Sequence, residues 1–423
     1  MAYQSRHREM DTPQTLVIGA GMVGSCCALH LQRAGHKVAL IDPHPPGSQT
    51  SYGNAATVAT YACIPVNHPK LLKSLPRLLC GPERPLSISP AYVPRMLPWL
   101  LSFLRHCRRE RVDQTISALG ALLRHAEDTT LALVQSAGAG DFIRRNGTLY
   151  LYSDAHSRLA AQDDIARRRE QGMSITEVEA DAVRELEPAL APIFAGGILY
   201  NDGFQLSDPQ QVIMRLVDQF ARDGGEVIQD RVDRIESAGL DQVTVHLSGT
   251  SKTVHHAVIA AGAWSTRIQG PVLDRLPLDT ERGYHVMFPE NLSTLSRPVG
   301  LADAGLYLSP VDGGLRAVGT VELAGLDAKP NPKRLDYIEQ VARRALPSLK
   351  QRGDTWLGFR PTFPDALPVI SHSSKHPSVV YAFGHQHVGL TLGAVTGKLV
   401  QQMIDRETPI VDPTPYRAQR FLN

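Results

Sequence analysis

The stretch TLVIGAGMVG, Thr15 to Gly24, decides the fold. Four residues suited to a buried strand run into Gly19-x-Gly21-x-x-Gly24. Lys37 to Ile41 is a second apolar run. Between the two, Ser25 to Ala34 contains no breaker, sets Ala28, Leu29 and Leu31 on one face, and is stopped by Gly35. Strand, helix and strand within about thirty residues is the setting in which this glycine spacing signifies a dinucleotide site. Gly19 permits the tight turn, Gly21 lets the backbone approach a pyrophosphate, and Gly24 lets the helix pack closely on the strand. The backbone from Gly19 through Ala20, Gly21, Met22 and Val23 to Gly24 then faces the phosphates, with the helix N-terminus adding unpaired N–H groups. Asp42, followed by Pro43, ends the second strand, where a carboxylate can accept hydrogen bonds from both ribose hydroxyls. An acid there disfavours a 2′-phosphate.

A second strand-to-small-residue turn lies far downstream, HAVIAAGAWS, His256 to Ser265. It places Ala261, Gly262 and Trp264 at a strand end close to whatever the first turn binds. The segment after Asp42, PHPPGSQTSYGNAAT, lacks apolar periodicity and offers backbone N–H groups with the Ser51 and Asn54 side chains. At the C-terminus, Val379 to Phe383 reads as a strand, GHQHVG as a turn, and Leu390 to Ile404 as a helix. Gly393, Ala394, Thr396 and Gly397 make one side of that helix small.

Composition bounds the remaining readings. The 423 residues allow two or three domains, and 43% apolar with 20% charged residues is ordinary for a globular protein. A net charge of +2 gives no electrostatic reason to expect nucleic acid. Five cysteines form no disulfide framework, and the adjacent Cys26 and Cys27 read as buried packing residues. No Cys/His spacing suggests a metal, and the cysteine usage fits a reducing cytoplasm. The polar N-terminal stretch lacks the apolar run of a signal peptide and is expected to fray. Ala91 to Cys107 is apolar but broken by Pro94, Arg95 and Pro98. It reads as a helix packed on its own protein or as a surface helix touching a membrane, with Arg105, Arg108 and Arg109 after it.

The chain leaves the cofactor domain and returns. Asp208-Pro209 starts a helix with Val212, Ile213, Leu216, Val217 and Phe220 on its buried side, ended by Gly224-Gly225. Gly147 to Asp154, Gly283 to Pro289 and the hairpin Gly305 to Glu322 suggest a separate antiparallel sheet. The expected class is α/β in the mixed α+β sense, a Rossmann-like cofactor domain interleaved with an antiparallel-sheet substrate domain. The cofactor domain is assigned to 14–62, 205–268 and 356–406, the substrate domain to 140–204 and 269–355. Residues 63–139 are expected as a helical segment between or over them.

In order along the chain stand GAGMVG with Asp42, TSYGNAAT, VIAAGAWS, ERGYHVMF, GLRAVGTVE, GFRPTFPDALPVI and YAFGHQHVGLT. This set resembles the D-amino-acid oxidase-like family of FAD-dependent amine oxidoreductases, and within it most the bacterial D-amino-acid dehydrogenases, including those acting on D-proline and D-hydroxyproline. The resemblance implies FAD, with Ala55, Ala56 and Val232 joining the cofactor contacts. It implies oxidation of a C–N bond by transfer of the α-hydrogen to flavin N5, giving an imine and then a keto acid. Covalent-flavin members use a C-terminal Cys or a His in the loop after the ribose acid. No Cys follows Cys107, Asn54 best matches the loop position, and His44 follows Asp42 too closely, so noncovalent FAD is expected.

Arg360 in GFRP is the expected carboxylate anchor, the bland alternative being a pairing with Asp365. Tyr284 is proposed to close the substrate pocket, with Asn54 nearby. His387 or His385 is proposed to bond the substrate or take the amine proton. Gly389, Leu390 and Thr391 are expected to offer N–H groups to the flavin N1–C2=O edge. Glu322 reads as a solvated hairpin residue. A D-amino-acid dehydrogenase, with D-proline-like substrates slightly preferred, is the leading reading. A sarcosine- or glycine-type oxidase using O2 and a flavin-binding subunit of a larger complex stay open. So do O2 and quinone as acceptors, the surface helix weakly favouring a quinone at the inner membrane face.

Overall fold

The structure is a computed structural model and describes residues 14–69 and 85–422; the N-terminal stretch expected to fray lies outside them, as does Cys80. The two quoted turns meet in its first sheet. Its six strands among the described residues run in the order Glu226–Ile228, Val38–Ile41, Thr15–Ile18, His256–Ile259, Val379–Phe383, Val369–His372, with only the last antiparallel. Thr15–Ile18 is wholly buried, as a central parallel strand covered on both faces must be. It pairs with His256–Ile259 from Thr15↔His256 to Ile18↔Ile259, so Gly19 and Ala260 leave the sheet side by side. Their approach leaves no room for a side chain: a Cβ on Gly19, at φ +110°, would stand 2.5 Å from the Ala260 carbonyl oxygen.

The helix Met22–Arg33 follows the first turn and packs against Gly389–Ile404. The small side of the latter makes this approach close. A Cβ on Gly393 would meet Met22 at 2.7 Å, and one on Gly397 the Cys26 backbone at 2.7 Å. Cys26 and Cys27 are fully buried in this core, and burial pushes both thiols up. Pro209–Arg222 packs on the same helix, its N-cap Asp208 accepting from Gln211 N.

The second sheet forms the roof. Its strands run Thr355–Thr362, Asp279–Phe288, Gly314–Leu323, Leu306–Val311, Val299–Leu301, Thr148–Tyr152, Gly196–Tyr200, Ile175–Glu179, and Leu86–Ile88 pairs with Gly314–Leu323. The expected antiparallel character holds for most pairs. Two are parallel, Val299–Leu301 with Thr148–Tyr152 and Leu86–Ile88 with Gly314–Leu323. The amphipathic helix Pro332–Ala345 brings Ile338, Val341, Ala342 and Ala345 into a core with Tyr284, Val286 and Phe288 from the Asp279–Phe288 strand.

Two boundaries need correction. Thr355–Thr362 is not in the cofactor sheet: it is the roof's edge strand, locked to Asp279–Phe288 from Asp279↔Thr362 to Val286↔Thr355. Residues 63–139 are not one helical layer. Leu86–Ile88 joins the roof, and Val93–His106 buries Met96, Trp99 and Phe103 beside Leu323. Arg109–Ser136 instead puts Ile116, Leu119, Leu122 and Leu123 into the cofactor-domain core. On Val93–His106 the opposite face exposes Val93, Leu97 and Leu101.

Candidate active site

Both sheets open on one cavity of about 940 Å³. At its cofactor end lie Gly19, Ala20, Gly21, Met22, Val23, Asp42 and Pro43. Ser51, Asn54, Ala55, Val232, Ala261, Gly262 and Trp264 continue the wall, as do His387, Gly389 and Leu390, and Arg360 lines it from the roof. Gly21 is the N-cap of its helix and supplies no side-chain cap; Met22 N donates to Ser51 Oγ at 3.2 Å. One Asp42 oxygen accepts from Ala20 N and the other from His44 N, each at 2.8 Å, which orients the carboxylate along the cavity wall. Burial pushes this carboxyl up, opposed by those two N–H groups.

The loop after Asp42 is held by the roof as well as by itself. Asn54 Oδ1 accepts from Ala56 N at 2.8 Å, and its amide donates to Ser51 O at 2.9 Å. From the roof, Arg316 donates to the carbonyls of Tyr52 and Asn54, Ser309 donates to that of Ala55, and His285 Nδ1 lies 3.1 Å from that of Gly53. Arg316 escaped the sequence reading, because nothing in GLRAVGTVE distinguishes a loop clamp from a surface arginine.

Arg360 projects from the roof's edge strand across Gly283. A Cβ on Gly283 would stand 2.3 Å from Arg360 Nη2, so the glycine of ERGY is what lets the guanidinium lie flat on the neighbouring strand. Nη1 donates to Thr320 O at 2.9 Å. The cross-strand partner of Arg360 is Glu281, also on the cavity wall, yet among the described residues no carboxylate makes an ion pair with Arg360. Burial lowers the Arg360 pKa, opposed by Glu281; burial likewise raises Glu281, opposed by Arg360. Asp365 bonds Arg420 instead, at 2.6 Å, which removes the alternative pairing.

His387 lines the cavity with its side chain exposed there; loss of hydration among the surrounding protein groups, with the Arg360 charge nearby, lowers its pKa to about 4, leaving it neutral near pH 7. His385 also reaches the cavity wall, but its Nε2 is engaged by Thr396 Oγ1 at 2.9 Å, and burial lowers it to about 3.

Four expected contacts are not brought to the cavity wall. Gly24 sits behind it, where a Cβ would come 1.8 Å from Gly19 O, the close packing its position requires. Ala56, at φ +60°, turns inward and its carbonyl accepts from Leu206 N. Thr391 Oγ1 accepts from Ala59 N at 2.9 Å and is buried. Tyr284 is the substantive correction. Successive strand residues face opposite ways, so Glu281 and Gly283 meet the cavity while Arg282 and Tyr284 point to the helix side. Tyr284 Oη donates to Glu322 at 2.5 Å and accepts from Asn331 N. Glu322 is corrected with it: 5% exposed rather than solvated, it pairs with the fully buried Arg282 at 3.2 Å.

A helix N-terminus whose N-cap is a glycine, a glycine cradle that a Cβ would fill, and an acid on the cavity wall at the end of the second strand fit a dinucleotide. The comparisons agree. The family model described as DAO, FAD dependent oxidoreductase, matches residues 14–403. A D-amino-acid oxidase of Bradyrhizobium diazoefficiens is 37% identical over 417 residues, covering 96% of this chain and 98% of that protein. A D-amino acid dehydrogenase of Dechloromonas aromatica is 28% identical, covering 94% and 98%. Among solved structures, glycine oxidase from Geobacillus kaustophilus superposes with a TM-score of 0.74 at 20% identity, covering 96% and 98%, a likeness of fold.

Proposed function

Because the chain belongs to the DAO family of FAD-dependent oxidoreductases, we propose that it oxidises the Cα–N bond of a D-amino acid, with Arg360 holding the α-carboxylate. One observation carries this reading. A guanidinium is enclosed in the wall of the cofactor cavity with a backbone carbonyl as its hydrogen-bond partner. Half-buried on that wall, the cation faces the cavity with donors to spare, and a planar carboxylate matches it bidentately. Glu281, opposite Arg360, is the group placed to meet the substrate's amine, and neutral His387 can accept a hydrogen bond or the amine proton. Bound FAD supplies the acceptor for the two electrons and proton leaving Cα, after which water converts the imino acid to a keto acid and ammonia. The chain's own contribution is position, a water-poor wall and fixed charge.

We take the FAD to be noncovalent, a reading supported by the lack of a thiol among the described wall residues and by Asn54 at the loop position. The relatives' names support the D series. The slight preference for a D-proline-like ring comes from the family resemblance alone, and Arg360 would hold its carboxylate in the same way.

Anaerobic titration of the purified yellow protein with D- and L-amino acids, both proline enantiomers, glycine and sarcosine tests this. D-amino acids should bleach the flavin band. Bleaching by L-amino acids or sarcosine alone would overturn the reading.

For the acceptor, the surface favours a quinone at an anionic lipid face. Among the described residues no helix is long and apolar enough to cross a membrane. Val93, Leu97 and Leu101 nevertheless form an exposed row, with Arg95, Arg105, Arg108 and Arg109 exposed around it. Apolar insertion plus basic charge is the pattern of interfacial binding. The protein should sediment with vesicles containing phosphatidylserine and not with neutral ones, and Leu97→Asp with Leu101→Asp should abolish it; equal binding to both vesicle types would exclude this contact.

A further inference from the structure

The roof end of the cavity continues past Arg360 into a chamber of tyrosines. Tyr61 and Tyr200 stack at 3.8 Å with an interplanar angle of 2°. Tyr150 lies 6.4 Å from Tyr200 and 6.0 Å from Tyr307, centroid to centroid, and all four rings line the cavity. The chamber adjoins the anchor. Tyr307 pairs with Val318, two residues before Thr320, whose carbonyl receives the Arg360 guanidinium.

At the far end lies a second cation. Arg168, from the helix Gln162–Glu170, lines the same cavity with its guanidinium 5.7 Å from the Tyr200 ring centre. Nε donates to Tyr61 O at 3.1 Å and Nη1 to Asp164 O at 3.2 Å, while the Asp164 carboxylate stands 3.5 Å from His68. Thr57, Thr148 and Tyr307 surround the buried Tyr61 hydroxyl as its hydrogen-bonding neighbours. A cation held among aromatic rings is stabilised when a ligand anion completes its bonding. Burial keeps the phenols neutral, so these hydroxyls can donate to an anion and none competes with it as a charge.

We propose that Arg168 and the surrounding tyrosines form a second recognition site, for an aromatic substrate side chain that ends in a carboxylate. The tyrosine walls take the flat, apolar body by offset or edge-on ring contacts, and the guanidinium takes the distal anion. A substrate with two anionic ends is then gripped at both: the α-carboxylate by Arg360, the distal one by Arg168. The four tyrosines, Arg168 and Arg360 all line this one cavity. This assignment rests on the reading of Arg360 as the anchor of a D-amino acid.

The test is kcat/KM of the holoenzyme for D-alanine, D-phenylalanine, 4-carboxy-D-phenylalanine and 4-aminomethyl-D-phenylalanine. Wild type should prefer the 4-carboxy over the 4-aminomethyl compound by at least a hundredfold, with D-phenylalanine between them. In Arg168→Met the ratio of the 4-carboxy compound to D-phenylalanine should fall at least tenfold, and Arg168→Lys should restore part of it. A wild-type preference for the cationic or neutral ring overturns the proposal without needing any variant to fold. So does a uniform fall across all four substrates, which would make Arg168 a general anchor or a structural residue. If no D-amino acid bleaches the flavin, the underlying reading has failed; if D-alanine does and the ring series shows no order, only this one has.

Discussion

The turn at Gly19–Gly24 and the roof above it bind by opposite means. The turn works with backbone: its glycines are set by contacts within a few residues and by one neighbouring strand, and the helix after it presents N–H groups. The roof works with side chains from strands distant in sequence, and a side chain's direction there depends on a register that shifts between Arg282 and Tyr284. Backbone sites are therefore fixed by space, side-chain sites by facing. The first should fail all at once when space is lost, the second one function at a time.

Gly24→Ala attacks the turn where it is tightest. The added Cβ would fall 1.8 Å from Gly19 O, a backbone atom that cannot swing away. Overpacking of this kind costs about 1–3 kcal/mol or more, and it pushes the helix N-terminus off the pyrophosphate. The variant should purify with little flavin and a markedly lower Tm, read from the visible absorbance ratio and a melt. Gly21→Ala, where the new Cβ meets the movable Ser51 Oγ at 3.2 Å, should lose far less. Equal losses at both positions would mean that the space argument is wrong.

Arg360→Ala should do the reverse at the roof, leaving the flavin in place. A buried, hydrogen-bonded charge partner is worth about 2–5 kcal/mol when truncated, so kcat/KM should drop by about two to three orders of magnitude, mostly in KM. Flavin content should match wild type. Unchanged kinetics would remove Arg360 from the site and the proposed reaction with it.

The same contrast explains what the sequence disclosed. The cofactor cleft was legible because glycine spacing, a strand on each side and Asp42 lie within thirty residues and act through the backbone. His256–Ile259 was legible as its neighbour because parallel central strands are apolar throughout. The roof was less so. Thr355–Thr362 reads as a return to the cofactor domain until its pairing with Asp279–Phe288 is seen. Glu281, which faces Arg360, carries no local signal, and Gly283 gains meaning only once Arg360 lies across it. The tyrosine chamber is assembled from four segments that share no motif.

Tyr284→Phe gives the smallest expected effect and the sharpest check on facing. The hydroxyl bridges Glu322 and Asn331 N in a network with Arg282, on the side of the sheet away from the cavity. Its loss leaves Asn331 N–H without that acceptor and Glu322 without one of three donors, a cost of about 1–3 kcal/mol in stability. The ring remains and keeps its packing with Val286 and Phe288. Tm should therefore fall by a few degrees while KM for the amino acid stays within about twofold, since no substrate contact is lost. A large rise in KM with an unchanged melt would put Tyr284 back at the substrate. It would also mean that the strand presents its even-numbered residues to the cavity, which Gly283 beneath Arg360 forbids.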